Sequence, residues 1–221
     1  MPAQQKAERP GRVERVHWAL VPAVGLAMLG VFVKIAAEVE ERETTAVDRA
    51  VSLTLHRLDS PLMDAVMRGV TFLGSFPAVA AVVAAAAIWR ARSRDRWTAV
   101  TLVVVAVVTE VVNFALKQTF QRPRPSLFHE IATLHSYSFP SGHAMASAAV
   151  YGSVAAVLAR AFPARRRAIL AGACVLVLLI GLSRVYLGVH WITDVVAGWA
   201  GGAFIALAAS VSPSVASEDP R

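Results

Sequence analysis

The run WTAVTLVVVAVVTEVVNFAL, Trp97 to Leu116, decides the fold: twenty residues carry a single charge, Glu110. A helix crossing the hydrocarbon core of a bilayer takes about 20 residues. Five further stretches read the same way: Trp18 to Val33, Gly69 to Trp89, Pro140 to Leu158, Ala168 to Leu182 and Trp191 to Val211. The first and fifth of the six reach spanning length with a few flanking residues. A soluble helical bundle would show polar faces at the helical period, and these runs have almost none. The chain as a whole is 56% hydrophobic and 17% charged, against about 25% charged in soluble domains. The sequence therefore predicts an all-α bundle of six transmembrane helices, with residues 17–211 as one membrane domain between a basic tail (residues 1–16) and a C-terminal tail (residues 212–221).

The net charge of +7 does not point to nucleic acid, because of where the charges lie. Lys6, Arg9, Arg12 and Arg15 precede the first span. Arg90, Arg92, Arg94 and Arg96 separate the second from the third, and Arg160, Arg165, Arg166 and Arg167 the fourth from the fifth. Basic loops stay in the cytoplasm, and these alternate as six spans require. Both termini are expected in the cytoplasm of a cell membrane, with Lys117 to Phe139 and Arg184 to His190 on the outer face. The N-terminal apolar run continues to Lys34 without a small-residue cleavage site and reads as a retained anchor. Cys174 stands alone, which rules out an intrachain disulfide or a Cys-based metal site. Oligomeric state is not legible.

Between the first two spans, Glu38 to Glu43 reads as a solvated turn. Val47, Val51, Leu53, Leu55 and Leu58 recur among Asp48, Arg49, His56 and Arg57, the pattern of a short amphipathic helix lying in the interface or packed on the bundle. Ser60-Pro61 is a helix start, and Gly74, Ser75 and Pro77 predict a bend or a close helix contact. The polar segment from Lys117 to Phe139, 23 residues long, exceeds ordinary structureless connections and reads as a functional loop.

Three clusters place polar groups at span ends, where burial is costly without a partner or a function. Lys117 is followed by Arg122-Pro123-Arg124-Pro125; an arginine fork matches phosphate oxygens and a lysine supplies a compact charge. A lysine snorkelling beside loop arginines is the plainer alternative. Phe139-Pro140-Ser141-Gly142-His143 opens the fourth span, where free N–H groups and the helix dipole favour an anion and His143 can supply a proton. An incidental histidine at a helix start is the alternative there. Ser183-Arg184 precedes His190-Trp-Ile-Thr-Asp194, whose i,i+4 spacing puts His190 and Asp194 on one helix face. A carboxylate holding one imidazole nitrogen leaves the other as a nucleophile, unless the pair merely bridges helices.

Lys117 with six residues to Arg124-Pro125, then Pro140-Ser141-Gly142-His143, then Ser183-Arg184 with five residues to His190 and three to Asp194, resembles the three-part signature of the type 2 phosphatidic acid phosphatases. A weaker likeness extends through Asp48, Asp59, Met63 and Gly74-Ser75. The resemblance implies a six-helix membrane core and hydrolysis of a lipid phosphate without metal or other cofactor. It makes His190 the nucleophile, giving a phosphohistidine, Asp194 the group that orients it and His143 the general acid. Lys117, Arg124, Ser141, Gly142 and Arg184 would bind phosphate, and the register selects Arg124 over Arg122. A lipid phosphotransferase shares this chemistry; a vanadium haloperoxidase shares the motifs but is soluble; a non-catalytic protein binding anionic lipid headgroups would bind without turnover. Undecaprenyl diphosphate is the favoured substrate from the compact size and outer-face site, with phosphatidylglycerophosphate, phosphatidic acid and a lipid A phosphate as alternatives.

Overall fold

In the computed structural model, residues 12–127 and 136–211 are described, with side chains from Leu20 onward. Residues 1–11 and 212–221, which hold most of the expected tails, and residues 128–135 of the expected functional loop lie outside them. The helices are α1 (Arg12–Glu40), α2 (Thr45–His56), α3 (Pro61–Leu73), α4 (Phe76–Arg92), α5 (Arg96–Phe120), α6 (Gly142–Ala161), α7 (Arg166–Tyr186) and α8 (Ile192–Ser210), with a 3-10 turn at Pro163–Arg165. Five segments are long and apolar enough to cross a bilayer alone: Leu20–Glu40, Arg96–Phe120, Gly142–Ala161, Pro163–Tyr186 and Ile192–Ser210. The pair α3 and α4, bent by 46° at Gly74-Ser75, meets the same criterion when taken together.

The bend comes from sequence. The α4 helix starts behind an extended Ser75 with Pro77 in its first turn, a proline position that needs no amide donor. Gly74 packs so closely that a Cβ there would lie 2.5 Å from Ile180 and 3.0 Å from His143. The bend and the close contact expected at this point therefore coincide. Two boundaries differ from expectation. Arg12 to Val16 belong to α1 rather than to a tail, and Glu38 to Glu40 continue that helix, leaving only Glu41–Thr44 as turn.

Helix α6 is the centre of the bundle, packed against α4, α5, α7 and α8. Its closest partner is α8, because Gly198 and Gly202 bring the backbones together. A Cβ on Gly198 would stand 2.7 Å from the Ser141 carbonyl oxygen, and one on Gly202 only 2.3 Å from that of Met145. Small residues four apart give such close approach between membrane helices. The outside of the bundle is apolar. On α5 alone Trp97, Val100, Val103, Val107, Val111 and Phe114 are exposed, as a lipid-facing surface requires.

Helix α2 resolves the choice between interface and bundle. Val51 and Leu55 pack with Val185 and Val195, while Val47, Leu53 and Leu58 stay exposed. Its inward face also buries Asp48 and Ser52, which amphipathic periodicity does not foretell.

Candidate active site

The third cluster is built by the link from α7 to α8. Gly188, at φ 65°, takes the left-handed conformation that favours glycine. The chain there turns back so that the amides of Val189 and His190 donate to the Arg184 carbonyl at 3.1 and 3.3 Å. The five-residue spacing is the length of this wrap. His190 then precedes the first turn of α8, with Asp194 in the third helical position. Asp194 Oδ2 accepts the Trp191 amide at 2.9 Å, as an acidic residue does when it caps a helix start, and lies 3.3 Å from His190 Nδ1. The pair therefore meets across a helix start; the expectation of one shared helix face is corrected, because His190 stands outside α8. The Ser138 hydroxyl donates to the same carboxylate oxygen.

Arg124 Nη1 sits 3.2 Å from His190 Nε2. A guanidinium only donates, so Nε2 must accept and the proton belongs on Nδ1, facing Asp194. The lone pair of Nε2 thus points toward the cations. Burial pulls the His190 imidazole down to about 3, with the hydrogen bond and charge of Asp194 acting in the opposite direction; its neutral form is the resident one.

Three cations gather at this end of the bundle, with Arg124 directly against the nitrogen. Arg124 is fixed by the carbonyls of Val189 at 2.7 Å and Ser136 at 2.8 Å. Lys117, one turn before the end of α5, donates to the carbonyls of Tyr137 at 2.5 Å and Ser138 at 3.3 Å. Arg184 is buried and donates to Thr71 Oγ1 of α3 at 2.6 Å. Its Nε, like Ser141 Oγ, is buried without a hydrogen-bond partner among the described residues; a buried polar atom so placed calls for a ligand or water. His143 lies close enough to Arg184, His190, Arg124 and Lys117 to feel their charges.

Ser141 is the N-cap of α6 and Gly142 its first residue, so the first amides of that helix lack intrahelical acceptors. Pro140 precedes the cap rather than occupying the first turn. A Cβ on Gly142 would stand 3.0 Å from Asn113 Oδ1, so any larger residue there would require the Asn113 side chain to shift. The Ser141 amide donates to the Asp194 carbonyl at 3.0 Å and the Ser138 amide to that of Arg122 at 2.8 Å. All eight residues singled out from sequence (Lys117, Arg124, Ser141, Gly142, His143, Arg184, His190 and Asp194) thus gather at one end of the bundle. Among the described residues no group of three or more His, Cys, Asp or Glu side chains has an arrangement that could hold a metal ion.

Thr193, Ser138 and Thr71 also join the site and were not anticipated there, and Arg122 and Asp48, seen in the sequence without a role of their own, join it as well. Arg122 donates to Asp194 Oδ1 at 2.5 Å and to Asp48 Oδ2 at 2.6 Å. The signal that could have found it is Asp48 itself, a carboxylate on the face that α2 turns to the bundle.

Comparison with known proteins fits this arrangement. The family model described as PAP2 superfamily matches residues 98–216. The chain belongs to the PAP2 superfamily. Phosphatidylglycerophosphatase B of Bacillus subtilis is 31% identical to this PAP2 chain over 174 residues, 77% of this chain and 85% of the relative. An undecaprenyl-diphosphatase of Sulfolobus acidocaldarius is 32% identical over 117 residues, about half of each chain (51% and 53%). The crystal structure of a transmembrane PAP2-type phosphatidylglycerolphosphate phosphatase from Bacillus subtilis superposes with a TM-score of 0.79 at 28% identity, covering 84% of this chain and 94% of that one. The all-helical membrane fold is the PAP2 phosphatase fold.

Proposed function

We propose that this PAP2 protein hydrolyses a lipid phosphate through a phosphohistidine on His190. It is a membrane-embedded hydrolase of lipid phosphates, as its PAP2 relatives are named. The observation that carries the mechanism is the orientation of His190, whose Nδ1 faces Asp194 at 3.3 Å and whose Nε2 faces Arg124 at 3.2 Å. Nε2 attacks phosphorus and the phosphorus–oxygen bond to the lipid breaks. His143 gives its proton to the departing oxygen. Water then attacks phosphorus, the nitrogen–phosphorus bond breaks, and His143 takes up the proton. Lys117, Arg124 and Arg184, with the Ser141 hydroxyl and the amides opening α6, face the equatorial oxygens, where phosphoryl transfer concentrates its charge.

The substrate reading follows the relative aligned over most of both chains, a phosphatidylglycerophosphatase, and phosphatidylglycerophosphate is placed first. Undecaprenyl diphosphate, favoured from size and site position, is supported by the shorter match to an undecaprenyl-diphosphatase and is the second reading. Phosphate release by purified protein from each lipid, with EDTA present, separates the two; activity that requires added metal would overturn the metal-free route. His190→Ala is expected to abolish release while the lipid still binds. Turnover by that variant at the wild-type rate would remove His190 from the nucleophile's place.

A further inference from the structure

We infer that Asp48 of α2, acting through Arg122, is a positioning residue that keeps Asp194 effectively anionic toward His190. The inference rests on His190 being the nucleophile, and on a buried chain of contacts. Arg122 Nη1 donates to Asp194 Oδ1 at 2.5 Å and to Thr193 Oγ1 at 2.8 Å. Its Nη2 donates to Asp48 Oδ2 at 2.6 Å and Thr44 Oγ1 at 3.1 Å, and its guanidinium lies over the Trp191 ring at 5.8 Å. Thr193 donates its amide to Asp48 Oδ1 at 3.1 Å and its hydroxyl to the same carboxylate at 2.9 Å. The side chains of Arg122, Asp48 and Asp194 are 12%, 1% and 0% exposed.

A fork that grips two buried carboxylates fixes both. Asp194 Oδ2 is held by Ser138 and the Trp191 amide, and Oδ1 by Arg122, so the carboxylate cannot rotate away from His190. Charge matters as much as geometry. Arg122 and Asp194 alone would form a neutral unit and leave little field at the imidazole. When Nε2 bonds to phosphorus, the ring becomes cationic and its Nδ1–H leans on Asp194. The second carboxylate gives the Asp48–Arg122–Asp194 assembly one net negative charge, which meets that cation in surroundings that screen poorly.

The test uses the full chain in detergent, with dioleoyl phosphatidic acid, phosphatidylglycerophosphate and undecaprenyl diphosphate as probes, and Tm measured for every variant. Asp48→Asn should lower kcat about ten- to a hundredfold, the range seen when an outer hydrogen-bonding partner of a site is removed, with KM at its wild-type value. Arg122→Gln should also lower kcat, and the double variant should lose less than the product of the two losses, because it leaves neither charge buried without its counterpart. Should Asp48→Asn not fold, Arg122→Lys carries the same test: it keeps the charge but cannot fork two carboxylates, and kcat should fall at constant KM. An active wild type with unchanged kcat in a folded variant, or a loss confined to KM, overturns this inference alone. A folded wild type that releases phosphate from none of the three lipids overturns the phosphatase reading and the inference with it.

Discussion

His190 shows how burial sets a side chain's chemistry. The unfolded chain offers an ordinary imidazole titrating near 6.5, whereas the folded site holds it neutral down to about 3. Between those values the unfolded chain binds the proton and the native chain does not, so folding stability is full above about 6.5 and falls as the pH drops toward 3. Asp194, Ser138, Arg124 and Arg184 face the ring, and Arg124 and Arg184 oppose its charging. Melting curves in detergent should therefore show an acid-side loss of Tm that is shallower in His190→Gln than in the wild type. Parallel curves would mean that the ring titrates as in the unfolded chain. The two arginines of the Arg-Pro pairs divide their work at this scale: Arg124 lies against the nucleophile and Arg122 against the carboxylate behind it.

Individual helices were largely legible, because an apolar run of spanning length has few other uses. Pattern alone could not show the contacts between helices. Val51 and Leu55 marked α2 as amphipathic, yet its burial of Asp48 depends on Arg122 and Thr193, residues far away in the chain. The candidate site was legible where one motif supplied both partners, as with His190 and Asp194, though their meeting at a helix start rather than along a helix was not. Thr71 escaped notice because nothing in its own stretch is polar enough to mark it as a partner of Arg184. Helix α8 offers a prediction at this scale. Gly202→Ala places a methyl 2.3 Å from the Met145 carbonyl oxygen and should cost about 1 to 3 kcal/mol by overpacking. Gly172→Ala on α7, where nothing lies within 4 Å, should leave Tm unchanged or raise it. Equal Tm losses in the two variants would remove the close α6–α8 approach as the cause.

Across the whole molecule, the links carrying Arg90 to Arg96 and Arg160 to Arg167 join the helix ends opposite to the site. Basic links favour the cytoplasm, and on that ground we propose that the site faces outward from a cell membrane with both termini inside. A Cys174→Ala background carrying Glu41→Cys at the site end should react with a membrane-impermeant maleimide in intact cells. Ser93→Cys at the other end should react only after lysis. The reverse pattern would invert the topology.

The valine-covered flank of α5 has a practical corollary for kinetics. A protein whose sides dissolve in the same two-dimensional phase as its substrate meets that substrate by lateral diffusion, never by capture from water. Its saturation should track the mole fraction of lipid phosphate in the bilayer or micelle, and diluting the sample with buffer at a fixed lipid-to-detergent ratio should leave the turnover of each molecule where it was.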